Sequence, residues 1–506
     1  MAESKRTANS TKNIIMGIAK NVIMMLVAFI GRRLFIKYIG IDYLGINGLF
    51  SNILSLLSMA DLGFGTAMSF SFYKPLADRD EARLSALINF YKTVYRFIAA
   101  SIAAIGLILT PFLDYIINLD APIPHIRLYY IIFLSNTVVS YLFVYKSSII
   151  TADQKNHVVD SITAAVNIGK LIIQCISILV FRNYIIYIVL NVVATVINNI
   201  LISITADKLY PFLRSNVSLE KSEKKKIFEN LKSVFIYKVS GSLLNSVDNI
   251  VISVCLGTAL VGVYSNYLTI TSSIISFVNI LFTSLTASVG NLIVTESFEK
   301  NYSVFKLAQR VSFWISGFVT VCCFTLIDDF ITLWLGDEFA LGPLMAFAVS
   351  FNLYFSTSMQ PIWIFREATG LYQRTKYIML IAAILNIILS FWMVGLIGIS
   401  GVIIATILSR LLTYFWYEPK ILFEEFFNRK VCEYYLNYFV NVIIVLAMCV
   451  VIESIGRRTY SVTGIGTWLI KAFFVSVIIN GIYIIINIKS GVLKELYERI
   501  LRVLKK

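Results

Sequence analysis

Runs of eighteen or more residues almost free of charge recur along this 506-residue chain. Each is long enough to cross a hydrocarbon core of roughly 30 Å as a helix. Hydropathy divides the chain into about fourteen such spans, so the expected fold is an all-α polytopic membrane protein. The helix after the polar opening MAESKRTANSTKN is too long for a signal-peptide core, and no small-residue cleavage site follows it. That opening is read as a retained cytoplasmic tail. With an even number of spans, both termini are expected inside.

Composition agrees. Apolar residues make up 58% of the chain and charged residues 14%, and mean hydropathy is +0.79. A soluble protein of this size needs far more polar surface. The net charge of +15 is spread over many short loops. Such a distribution fits the cytoplasmic bias of Lys and Arg in membrane proteins, not a nucleic-acid partner. The six cysteines lie in or beside apolar runs without metal-ligand spacing, so buried thiols are expected. His125 and His157 are assigned to opposite sides of the membrane. No Walker motif and no nucleophile–His–acid set stands out. No metal or cofactor is expected, nor direct drive by ATP.

The chain also repeats itself. Lys20 sits early in an apolar helix that ends at a G-x-x-x-x-G turn with Gly40 and Gly45. Lys238 sits early in another that ends at Gly257 and Gly262. Lys92, Arg96 and Asp114 match Lys306, Arg310 and Asp328 at identical spacing, and Lys146, Gln154 and Lys155 correspond to Arg366, Gln373 and Arg374. The expected organisation is a six-helix lobe over 1–205, a basic amphipathic linker over 206–232 and a second six-helix lobe over 233–417. Residues 418–506 add two helices and an amphipathic tail suited to the membrane surface. The loop after span two, with Lys74, Arg79 and Arg83, is expected inside. The acidic stretch DDFITLWLGDEF, which lacks Lys and Arg, is expected as an outside loop.

Ionisable groups within spans are costly and therefore point to function. Those here are Lys20, Arg32, Arg33, Asp61, Lys170, Lys238, Asp248, Arg366 and Glu367. Lys20 and Lys238 occupy equivalent positions in the two halves. Parallel repeats place substrate at their interface, where two lysines attract a polyanionic head group such as a pyrophosphate. The competing reading is that both lysines snorkel to the interface. Asn245 and Asn249 extend a polar stripe beyond Lys238. Arg32 and Arg33 line an outward mouth or sit at the interface. Asp61 and Asp248 are candidates for ion coupling, with Asp61 equally suited to pairing with a cation or capping a helix break. Asp78-Arg79-Asp80 matches a D-x-D motif, but a solvated loop explains it better.

The stretch YLGINGLFSNILSLLSMADLGFGTAMSFSFYKPLADRD and the six-plus-six-plus-two plan resemble bacterial polysaccharide repeat-unit flippases (Wzx-like). These belong to the multidrug/oligosaccharidyl-lipid/polysaccharide (MOP) exporter superfamily. The resemblance covers essentially the whole chain and is most specific from Gly45 to Asp80. It implies a plasma-membrane flippase that carries undecaprenyl-pyrophosphate-linked oligosaccharides to the outer leaflet by alternating access. It also implies a cationic cavity that Lys20 and Lys238 could supply, and partners among the polymerase and glycosyltransferases of capsule or exopolysaccharide assembly. A multidrug exporter is disfavoured because its cavity would be acidic, while a lipid II flippase stays open. A membrane enzyme such as a polymerase would bring a large outside loop, and every outside loop here is short.

Overall fold

The computed structural model describes residues 24–58, 64–119, 122–153, 155–214, 217–459 and 462–488. Among them there is no strand, and helices carry nearly every residue. Ten helices are individually long and apolar enough to cross a membrane. A further span is broken, its two pieces inclined at 42°. The chain is a multi-pass membrane protein. About fourteen spans result when α1 (24–38), α2 with α3, and α12 with α13 are counted as one span each. Packing divides the described residues into two compact units, 24–263 and 264–488. Residues 1–23 and 489–506, which hold Lys20 and both terminal tails, lie outside the described residues.

In the first unit, α1 turns at Gly40 into α2 (Ile41–Leu57). There follow α3 (Phe64–Asp78), α4 (Glu81–Leu109), α5 (Ile126–Tyr141), α6 (Val144–Ala152), α7 (Asn156–Phe181), α8 (Tyr184–Leu209) and α9 (Lys221–Leu256). Its core is rich in large apolar and aromatic side chains, with Phe35, Phe50, Phe72, Tyr91 and Tyr130 inaccessible or nearly so. Span two ends later than hydropathy suggests. Its second helix, α3, continues through Lys74 and Pro75 to Asp78, so the loop before α4 is only two residues. Asp80 then caps α4, accepting from the Arg83 N–H at 2.9 Å, which supports a structural role for that D-x-D. The linker helix is not separate either, because α9 runs unbroken for 36 residues from the basic segment into the span. An Arg83–Glu223 ion pair of 2.7 Å ties its start to α4.

The two G-x-x-x-x-G turns adopt the same backbone. Gly40 has φ of 109° and Gly257 of 108°, a region that L side chains rarely enter. Their partner glycines then meet. A Cβ on Gly45 would lie 2.0 Å from the Thr258 carbonyl oxygen, and one on Gly262 would lie 2.6 Å from that of Ile41. Because Thr258 and Ile41 each follow the turn glycine, the two contacts exchange under the duplication, as in a two-fold interface. Only glycine permits this approach. The second turn is also clamped: Thr258 N–H donates to Asn118 O at 2.6 Å, and Ser253 Oγ donates to Ile116 O at 2.8 Å.

Helix α10 (Thr258–Thr295) starts in the first unit and continues into the second, where α11 (Phe298–Trp334), α12 (Pro343–Ser358), α13 (Gln360–Ala368), α14 (Tyr372–Ile397), α15 (Ile399–Leu412) and α16 (Tyr414–Ile421) follow the same plan. A π-helical turn (Leu422–Phe427) precedes α17 (Cys432–Thr459) and α18 (Ile465–Ile488). Here the expected outside loop is corrected. Asp328 and Asp329 belong to α11, which extends to Trp334. Both carboxylates are satisfied: Tyr267 OH donates to Asp328 at 2.5 Å, and Lys471 of α18 donates to Asp329 at 2.7 Å. Hydropathy alone could not supply those partners. Lys471 and the bond from Trp314 to Asn480 fasten α18 onto α11.

Candidate functional site

The side chains of Lys238 and Asn245 and the whole of Lys20 and Asp61 lie outside the described residues. Arg32 is half-buried beside Tyr187 of α8, while its neighbour Arg33 is exposed. Asp248 and Asn249 are buried in α9. Asn249 faces Gly48 of α2, and its Oδ1 has no hydrogen-bond partner.

Of the intramembrane charges noted in the sequence, Lys170 has the most informative surroundings. Asn167, Lys170 and Gln174 recur at three and four residues, so they line one stripe of α7. Asn191, Thr195 and Asn198 form the facing stripe on α8. Gln174 donates to Tyr187 O at 3.0 Å and to Asn191 Oδ1 at 3.2 Å. Thr195 donates to Asn136 Oδ1 of α5 at 2.7 Å, and Asn199 donates to Val139 O at 2.8 Å. These bonds leave a cavity of about 320 Å³ lined by Lys170, Asn167, Thr163, Ser147 and Asn198. The Asn198 Oδ1 lacks a partner, and no carboxylate among the described residues pairs with Lys170.

Depth makes the lysine costly. It lies fourteen residues from the start of α7 and eleven from its end. At 1.5 Å per residue these are about 21 and 17 Å, close to mid-membrane. A cavity this size holds on the order of ten waters at about 30 Å³ each, which suits hydration of the ammonium. The arrangement can stabilise negative charge at mid-depth. Among the described residues no group of acids, cysteines and histidines could hold a metal.

The duplicated positions Lys146 and Arg366 prove to be ion-paired. Lys146 on the short helix α6 donates to Asp207 of α8 at 2.7 Å and to Ser203 at 2.7 Å. Arg366, its sequence counterpart on α13, binds Glu418 of α16. Trp363 donates to the other Glu418 oxygen at 3.0 Å. In each half, then, a cation on the broken fourth span meets a carboxylate on the sixth. The sequence match identified the cations but not the acids, whose distances along the chain differ. The second unit holds one more buried cation, Arg410, which donates to Asn352 at 2.9 Å and Ser356 at 3.2 Å.

Outside the spans, Asp153 accepts from Lys155 at 2.6 Å and from Tyr210 at 2.7 Å, fastening the turn before α7 to the end of α8. Partial burial works to raise the Asp153 pKa, but these bonds and the Lys155 charge outweigh it and hold it below the usual carboxylate value. A depressed pKa gives stability that is complete above the unfolded-state value of about 3.9 and fades as pH falls through the folded value. Amide exchange in residues 151–158 should therefore accelerate only below about pH 4. Asp153→Asn should abolish that acid step.

No protein-family model matches the chain, and no curated protein matches it in sequence. Solved structures do match its fold. A lipid II flippase MurJ in an inward closed conformation aligns with a TM-score of 0.67 at 15% identity, covering 93% of this chain and 99% of its own. An inward-facing multidrug resistance MATE family transporter of the MOP superfamily aligns at 0.59 and 14% identity, covering 78% of this chain and 93% of its own. A mutant of the Vibrio cholerae MATE transporter VcmN aligns at 0.54 and 13% identity, covering 84% and 99%. The chain therefore has the fold of these transporters.

Proposed function

We propose that this protein is a flippase, without covalent chemistry, for oligosaccharide repeat units linked to undecaprenyl pyrophosphate. It would carry them from the inner to the outer leaflet for capsule or exopolysaccharide assembly, by alternating access. The observation that carries this reading is the extent of the fold match. The lipid-flippase structure covers 93% of the chain, whereas the inward-facing MATE structure covers 78%. The VcmN structure covers 84% at a TM-score of 0.54, so the lipid-flippase match is the most extensive of the three. The unpaired Lys170 at mid-depth supports an anionic cargo over the cations that an acidic drug-exporter cavity would favour.

In this reading the basic turns around Arg79, Lys155, Arg374 and Arg429 face the cytoplasm of a bacterial cell, as does each terminus. Lys20 and Lys238 attract the pyrophosphate, Arg32 and Arg33 serve the outward mouth, and Asn245 and Asn249 extend the polar path. Asp61 and Asp248 couple transport to an ion.

Mass spectrometry of polyprenyl-linked lipids in cells depleted of the protein tests the function. Complete repeat units should accumulate on undecaprenyl pyrophosphate, shielded from outside reagents. Truncated units would indicate a glycosyltransferase, externally exposed complete units a polymerase, and an unchanged profile a drug exporter. The fold match to MurJ favours one second reading, transport of lipid II itself. Accumulation of lipid II in place of repeat units would select it. Lys170→Met should lower export at least ten-fold at normal membrane abundance, and Lys170→Arg should retain part of it. Undiminished export in the methionine variant would remove Lys170 from the transport path.

A further inference from the structure

A second cavity, of about 210 Å³, lies wholly within the second unit, where the start of α11, the start of α17 and the end of α18 come together. Its lining on α11 ends at Phe313, fifteen residues from Phe298. At 1.5 Å per residue this keeps the pocket within about 23 Å of one end of the bundle. That end carries the basic turn with Arg429 and Lys430. The pocket is therefore placed at the depth of a head group and the first part of its lipid.

Its chemistry is mixed in a specific way. Gln309 is 5% exposed, and its amide N–H donates to Ser358 O at 3.1 Å, while its Oε1 has no partner. Asn437 is exposed on α17, where bare amides are costly against lipid. Phe305 and Phe423, 2% and 1% exposed, form the packed wall behind these amides. At the mouth, Lys306 and Arg310 stand one turn apart on the exposed side of α11. Glu433 is there too, with Tyr302 OH directed at it from 3.4 Å. Cations alone would suit any anion. Two amides and a carboxylate suit a ligand that also offers hydroxyl donors.

We propose that this pocket binds the phosphorylated sugar of a glycolipid, with phosphate at Lys306 and Arg310 and the first sugar ring against Gln309 and Asn437. At about 30 Å³ per water the volume equals on the order of seven waters, enough for one ring with bridging water. The same pair of cations occurs as Lys92 and Arg96 in the first half, but α17 and α18 have no counterpart there. The two helices beyond the repeat thus convert a duplicated basic pair into a head-group pocket. The choice of a lipid-borne ligand rests on the flippase reading.

The test is native mass spectrometry of the full-length protein in detergent with three probes. They are a C15 prenyl diphosphate bearing one N-acetylglucosamine, the same prenyl diphosphate without sugar, and phosphatidylglycerol. The glycosylated probe should bind at least ten-fold more tightly than the bare one. Asn437→Leu, at an exposed position, and Gln309→Leu should each erode that preference while leaving the bare probe unchanged. Lys306→Met with Arg310→Met should weaken both prenyl probes. Equal binding of the two prenyl diphosphates would overturn the sugar site, and equal binding of phosphatidylglycerol would reduce it to a general phospholipid contact. If the sugar preference is missing while depletion still traps lipid-linked units, the pocket assignment fails and the flippase reading stands. If the sugar preference is present while depletion leaves the lipid profile unchanged, the pocket stands and the flippase reading fails.

Discussion

Glu418→Gln is expected to destabilise the protein by about 3–5 kcal/mol, the usual consequence of removing one partner from a buried ion pair. Glu418 is 1% exposed and Arg366 is 3% exposed, so water cannot replace the lost carboxylate charge. The glutamine would keep one oxygen for hydrogen bonding, but the buried guanidinium would be left with the more distant and largely exposed Glu367 carboxylate at 3.7 Å as counter-charge. Unfolding midpoints of purified protein in detergent, with membrane abundance, provide the readout. Arg366→Met should be similarly damaging. The double variant Arg366→Met with Glu418→Met should recover a substantial part of the loss, because it removes both charges together. Lys146→Met offers a graded control. Its partner Asp207 retains 27% side-chain exposure, so solvent compensates and the loss should be smaller. An unchanged midpoint in Glu418→Gln would show that the pair contributes nothing to the fold.

Gly45→Ala is expected to be at least as disruptive. Inserting a methylene into a packed interior usually costs about 1–3 kcal/mol. Here the added carbon would lie 2.0 Å from a backbone carbonyl oxygen, and that backbone is pinned by the Thr258–Asn118 and Ser253–Ile116 bonds. No side chain can rotate out of the way, so α2 and the start of α10 must separate. We expect the cost to exceed the usual range, with folded protein lost from the membrane fraction. Gly262→Ala should follow with a smaller effect, its nearest contact being 2.6 Å. Gly48→Ala, on the same helix, meets a Val261 methyl at 3.1 Å and the Asn249 amide at 3.9 Å, both side chains, and should be tolerated. Equal stability of Gly45→Ala and Gly48→Ala would contradict the close crossing. The crossing also joins the corresponding turns of the two repeats, so a viable Gly45→Ala protein should show impaired export.

Much of this organisation was legible from residues alone. The apolar runs require membrane helices because an unpaired backbone in hydrocarbon costs several kcal/mol per group. The repeat could be read from glycines and charges at fixed spacing, since a positive-φ turn accepts little but glycine. Hydropathy was less reliable at helix ends. It started the loops at Lys74 and Asp328, where the helices continue to Asp78 and Trp334, because a local average counts a carboxylate as exposed whatever the fold places beside it. Tyr267 and Lys471, distant in sequence, keep Asp328 and Asp329 inside α11.

The candidate site divides in the same way. Sequence identified Lys170 and Arg366 as intramembrane charges, because an isolated charge in a span is conspicuous by itself. Their opposite fates, one unpaired beside a cavity and one bound to a buried glutamate, depend on neighbours from other helices. The amides on α8 carried no signal, since Asn and Thr are common in spans and acquire meaning only when they face Lys170. Sequence by itself determined that the chain is a duplicated helical membrane protein, because backbone satisfaction in lipid and turn geometry are local requirements. Only the tertiary structure decided which charges are paired, where polar side chains meet and how closely helices approach. Those depend on distances between residues far apart along the chain, and no spacing within a single helix fixes them.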